Sequence, residues 1–225
     1  MDHCIKAINL TKSYKVGEQI VHAVSNVDIS VNSGEFVSIF GRSGSGKTTL
    51  LNLLAGLETP SDGLVEIKGL NVNEMNDKQI SSLRKKEIGF VFQTFSLLPL
   101  LTAYENVELP LRILKMDEEE RNQKTLHALR SVDIEKRSFH RPYELSGGEQ
   151  QRVSIARAIV HNPSIIFADE PTAELDSRNA NNVFEMFRKF ASETETAIIC
   201  STHDTTLLNT TDRVIQLIDG QIAKN

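Results

Sequence analysis

Apolar and polar residues partly alternate from 20 to 31 (I-V-H-A-V-S-N-V-D-I-S-V), the period of a strand with one buried face. Residues 35–40 form a short, largely apolar run that stops at Gly41 and predicts a buried strand. Over 47–57 (K-T-T-L-L-N-L-L-A-G-L) the spacing becomes that of a helix with a wide apolar face. Short strands are predicted at 64–67, after the turn Pro60-Ser61-Asp62-Gly63, and at 88–92, 164–168, 197–200 and 214–218. Helical spacing recurs at 118–132, where Leu126, Leu129 and Val132 share one side, and at 148–160 and 177–190.

Strands alternating with helices imply an α/β fold with a mostly parallel sheet and helices on both faces. The amphipathic N-terminal segment adds an antiparallel β portion. No strong strand pattern occurs between 94 and 148. An α-helical subdomain is therefore expected there, inserted into a core of 1–93 and 149–225, and the 225 residues read as one domain.

The composition, 40% hydrophobic and 24% charged, suits a soluble chain with a sizeable core. A net charge of −5 with no long block of like charge gives no support to nucleic acid as a partner. The apolar runs, such as 97–101 and 165–168, are far shorter than the about 20 residues a spanning helix needs. The start M-D-H-C-I-K-A lacks the apolar stretch of a signal peptide. Any work at a membrane is thus expected through a partner. Cys4 and Cys200 lie far apart without metal-ligand spacing and read as reduced structural thiols.

Chemistry enters at Gly41-Arg42-Ser43-Gly44-Ser45-Gly46-Lys47-Thr48-Thr49, which matches G-x-x-x-x-G-K-[ST] between a strand and a helix. Glycines let backbone N–H groups close around phosphate oxygens, and the following helix points its positive end at them. Lys47 is expected to reach the β- and γ-phosphates of ATP, and the Thr48 hydroxyl to hold Mg²⁺. The strand at 164–168 delivers Asp169 and Glu170 at its C-terminal end, where open α/β sheets hold ligands. Asp169 suits the Mg²⁺ shell and Glu170 suits a general base or water-positioning group. In Leu145-Ser146-Gly147-Gly148-Glu149-Gln150-Gln151-Arg152 the residues leave two readings open, an anion site at a helix N-terminus or an ordinary Ser146 cap.

The order of these motifs resembles the ATP-binding subunit (nucleotide-binding domain) of ABC transporters, over about residues 5–222. The resemblance implies a P-loop NTPase, RecA-like core. It further implies that Gln93 is the glutamine that approaches Mg²⁺ and senses the γ-phosphate. Asp176, in Leu175-Asp176, matches the D-loop, and His203 matches the switch histidine. Tyr14 matches the aromatic that stacks on adenine. Lys47, Glu170 and His203 are then the catalytic set, and Thr48, Gln93 and Asp169 the metal set. In this family two subunits sandwich two ATP molecules head to tail, so Ser146, Gly147, Gly148 and Glu149 of one copy would serve the nucleotide held by the other. A homodimer, integral membrane permease subunits and a peripheral place on the cytoplasmic face of the membrane are implied.

Residues 88–93, Leu97-Leu98-Pro99, 102–107 and 109–111 are similar to the MacB/LolD/FtsE-like branch, which moves lipoproteins, peptides or antibiotics or transmits force. The apolar run 95–101 reads either as a groove for a segment of the membrane partner or as subdomain core. Ala173-Glu174, where that branch often has Gly-Asn, and Glu149, where glutamine is also common, depart from its pattern. Non-transporting relatives carry long coiled-coil insertions or two cassettes, and neither pattern occurs here.

Overall fold

The structure is a computed structural model and describes residues 3–223. Its main sheet has six strands in the order β10-β9-β3-β8-β7-β6. These are β3 (Phe36–Phe40), β6 (Ile88–Val91), β7 (Ile165–Asp169), β8 (Ala197–Thr202), β9 (Arg213–Ile218) and β10 (Gln221–Ile222). All neighbours are parallel except the β9–β10 hairpin. A second, antiparallel sheet runs β2-β1-β4-β5 through β1 (Ile5–Val16), β2 (Gln19–Val31), β4 (Asp62–Ile67) and β5 (Leu70–Asn71).

The central strands explain why their sequences show no alternation. Ile165, Phe167, Ala197 and Ile199 face one core with Val37 and Ile39, and they pack there with α1 (Lys47–Leu54) and the antiparallel sheet. Ile166, Ala168, Ile198 and Cys200 face a second core with Phe36. That core holds α3 (Ala103–Ile113), α4 (Glu118–Ser131), α5 (Gly147–Ile159) and α6 (Ser177–Thr194). Period 2 is present, but both faces are apolar.

The sequence pattern set no bounds for β1, β5, β10, α2 (Asp77–Glu87) and α3. In β1, register shifts against β2 between Ala7 and Ser13, with Asn9 and Asn26 in the left-handed region, interrupt the regular pairing. Helix α2 buries no residue fully. Its start is set instead by a reciprocal cap, Asn76 with Gln79. Between β6 and α5 lies a helical subdomain with α3 and α4 and, among the described residues, no strand. Within 95–101, Leu97 packs on the core while Leu98 and Leu100 are exposed. Among the described residues no helix is long and apolar enough to cross a membrane.

Candidate functional site

The site forms where β3, β7 and β8 end on the same side of the sheet. Beyond β3 the chain turns tightly from Gly41 to Gly46. A Cβ on Gly41 would lie 2.5 Å from both Ser45 Oγ and the Leu217 carbonyl. Gly46 sits at φ 100, and a Cβ there would lie 2.1 Å from the Ala23 carbonyl. Any side chain at either place would push the loop off β2 or β9, so these two glycines set its path.

Lys47 opens α1 and is 5% exposed. Its ammonium donates to the Gly41 carbonyl at 2.9 Å and the Arg42 carbonyl at 3.1 Å, and it pairs with Glu170 Oε1 at 3.1 Å. A buried cation folded back over the loop's concave side is the arrangement that meets phosphate oxygens. Thr48 is exposed at the first turn, and Thr49 is half-buried beside Tyr14.

Asp169 is the last residue of β7, and Glu170 follows it at φ 43, a strained position for a side chain of this size. Ser201 holds both: its hydroxyl donates to Asp169 Oδ1 at 2.7 Å and accepts the Glu170 N–H at 2.8 Å. Ser201 is fully buried and pairs with Asp169 across the strands. Sequence reasoning gave Ser201 no role, because strand register places it there. Glu170 Oε2 lies 3.1 Å from His203 Nδ1, so one carboxylate bridges Lys47 and His203.

The other predicted residues make no hydrogen bond or ion pair with this cluster among the described residues. The Tyr14 hydroxyl donates to both oxygens of Glu58 at 2.7 and 2.8 Å, and the Lys12 ammonium sits 5.2 Å from the ring centroid. Burial and Glu58 push the Tyr14 pKa up. Gln93 is exposed. Ser146 caps α5. Its hydroxyl accepts the Glu149 N–H at 3.3 Å, while Glu149 Oε2 accepts the Ser146 N–H at 2.8 Å and its hydroxyl at 2.9 Å. The bonds from Ser146 and the Arg137 guanidinium at 3.0 Å hold the Glu149 carboxyl below its ordinary pKa. Gly147 and Gly148 carry no side chain over this helix end. Asp176 caps α6, accepting the Asn179 N–H at 2.9 Å and its amide at 2.7 Å.

Mg²⁺ is tested by the donors at hand. Among the described residues no group of three or more His, Cys, Asp or Glu could hold a metal. Mg²⁺ favours oxygen ligands and is commonly bound through one or two carboxylates beside substrate phosphates and further oxygen donors. The exposed Thr48 hydroxyl, the Asp169 carboxylate and the Gln93 amide oxygen fit that demand.

Comparison with known proteins gives a consistent picture. The ABC transporter family profile matches residues 24–173. An uncharacterised ABC transporter ATP-binding protein of Methanocaldococcus jannaschii, MJ0796, is 45% identical over 225 residues, covering 98% of this chain and 95% of the relative. The lipoprotein-releasing system ATP-binding protein LolD of Psychrobacter arcticus is 44% identical over 221 residues, covering 98% of each. The MJ0796 cassette, solved as a dimer in a post-hydrolysis state bound to ADP and Pi, superposes with a TM-score of 0.91 at 44% identity, covering 98% of this chain and 97% of that one.

Proposed function

The chain belongs to the ABC transporter ATP-binding proteins and is an ATPase, and from that premise we propose that it drives an exporter of the lipoprotein, peptide or antibiotic kind. The observation that carries the export reading is near-full-length similarity to a lipoprotein-releasing ATPase. In this reading the chain works as a head-to-tail homodimer at the cytoplasmic face of a membrane, beneath integral permease subunits.

Lys47 leaves Glu170 and neutralises the β- and γ-phosphates, while backbone N–H groups from Gly41 to Thr49 enclose them. Glu170, freed from the ammonium, faces the attacking water as general base or orienting group. His203, 3.1 Å from Glu170, fixes that carboxylate and turns its other edge to the γ-phosphate. Thr48, Asp169 and Gln93 would hold Mg²⁺, whose charge would offset that of the phosphates. Tyr14 takes the adenine. Ser146, Gly147 and Gly148 of one copy, with Asp176 close behind, complete the site of the other.

A groove of about 200 Å³ where β6 meets the helical subdomain, lined by Arg84, Ile88, Phe90, Pro110, Ile113 and His161, among others, offers a seat for the permease beside the exposed Leu98 and Leu100 of the run 95–101.

Replacing Glu170 by Gln tests the assigned chemistry. Phosphate release should fall by about a hundredfold or more with ATP affinity within roughly threefold. Turnover near the wild-type rate would remove Glu170 from its role.

A further inference from the structure

Ser146 and Glu149 close the start of α5 upon each other. The Ser146 hydroxyl has one proton to give, and it goes to Glu149 Oε2 at 2.9 Å. The same oxygen accepts the Ser146 N–H at 2.8 Å. A full negative charge therefore stands beside the hydroxyl assigned above to the nucleotide of the other copy. A phosphate oxygen accepting from Ser146 would lie within about 6 Å of that carboxylate. Like charges at such a distance repel, and the repulsion strengthens as a second copy excludes water. The positive end of α5 offsets part of it.

One cation is placed to offset the rest. Arg137 Nε donates to the other carboxylate oxygen, Glu149 Oε1, at 3.0 Å. Arg137 ends the short turn Glu135–Arg137 in the helical subdomain. Its N–H donates to the Ile134 carbonyl and its carbonyl accepts the His140 N–H, both at 2.9 Å. Its Nη1 lies 3.3 Å from His140 Nε2. Among the described residues no other ion pair reaches Glu149. The two side chains are 50% and 27% exposed, so in the free chain the pair adds little to stability. Covered by a second copy, the same carboxylate without its partner would be a buried, unpaired charge, which is far more costly.

We propose that Arg137 is a positioning residue for the divided site: by neutralising Glu149 it frees the Ser146 hydroxyl to turn from that carboxylate to a phosphate held by the other copy. The inference rests on the head-to-tail homodimer proposed above. Without the guanidinium, Glu149 keeps the hydroxyl proton and repels the phosphate. Without the charge on residue 149 as well, Arg137 has nothing left to offset.

The test titrates ATP with Mg²⁺ into Glu170→Gln chains and follows their mass by light scattering. The chains carry no further change, Arg137→Gln, Glu149→Gln, or both. Arg137→Gln should raise the ATP concentration at half-dimerisation about tenfold or more where Glu149 is present, and no more than about twofold beside Glu149→Gln. Arg137→Lys, which keeps the charge, should recover most of the loss. Without nucleotide, Arg137→Gln should move Tm by less than about 2 °C. Equal rises in the two backgrounds would mark a structural role and overturn the proposal, as would no rise in either. If Glu170→Gln alone stays monomeric at saturating ATP, the dimer reading fails and the proposal falls with it. If that chain dimerises and Arg137→Gln changes nothing, the proposal alone fails.

Discussion

Glu170 shares its two oxygens between Lys47 and His203, each at 3.1 Å, in a backbone conformation that Ser201 holds from below. Ser201 therefore governs two acids at once. In Ser201→Ala the buried Asp169 oxygen and the Glu170 N–H lose their partner, which should cost about 1–3 kcal/mol of stability. Turnover should also fall, measured beside a denaturant titration. Unchanged stability and turnover would show that the register contact is incidental. His161 behaves differently. Burial pushes its imidazole pKa down, partly opposed by the Ile88 carbonyl, 3.1 Å from Nε2, and by Glu87; Lys124 lowers it further. Arg84, Lys85 and Arg157 line the same groove. The folded chain thus binds this proton less readily than the unfolded chain. Its contribution is full above the unfolded value, about 6.5, and is lost as pH falls below it. Tm should drop between pH 7.5 and 5.5, and His161→Gln should flatten that slope. Equal slopes in the two chains would contradict the assignment.

Helix α5 presents Ser146 to Gly148 at one end, holds Arg157 in its last turn, and approaches β6 closely at Gly89. A Cβ on Gly89 would come within 2.3 Å of the Ala158 carbonyl. Gly89→Ala must push the helix from the strand, at about 1–3 kcal/mol, which should lower Tm by several degrees. No change in Tm would mean the two elements give way freely. The sequence marked this helix within one residue at each end, because the Ser146–Glu149 cap and an apolar stripe lie together in it. It marked β7 equally well, through an apolar run ending in two acids. Helix α2 escaped notice because its residues are mostly polar and its boundary rests on side-chain caps. Ser201, Glu58 and Arg157 escaped for another reason. Each meets its partner from a distant part of the chain, and only strand register or helix packing brings them together.

At the scale of the molecule, two cores share one sheet. The first supports the phosphate loop through α1 and the antiparallel sheet, and the second supports α5 through the helical subdomain. Lys47, Asp169, Glu170 and His203 converge within one chain. No hydrogen bond or ion pair among the described residues joins Ser146 to Gly148 to them. The proposed division of the site between two copies needs no such bond within one chain, and a similar chain has been solved as a dimer with ADP and Pi bound. Similarity marked the nucleotide loop clearly, while the contacts of Ser201 and Glu58 became visible only in the folded chain. The most direct check is the solution mass of Glu170→Gln with and without ATP, by light scattering, alone and combined with Ser146→Arg. ATP should double the mass of Glu170→Gln, and adding Ser146→Arg should keep the chain monomeric with one ATP still bound. A Glu170→Gln chain that stays monomeric at saturating ATP, or a dimer indifferent to Ser146→Arg, would contradict the divided site.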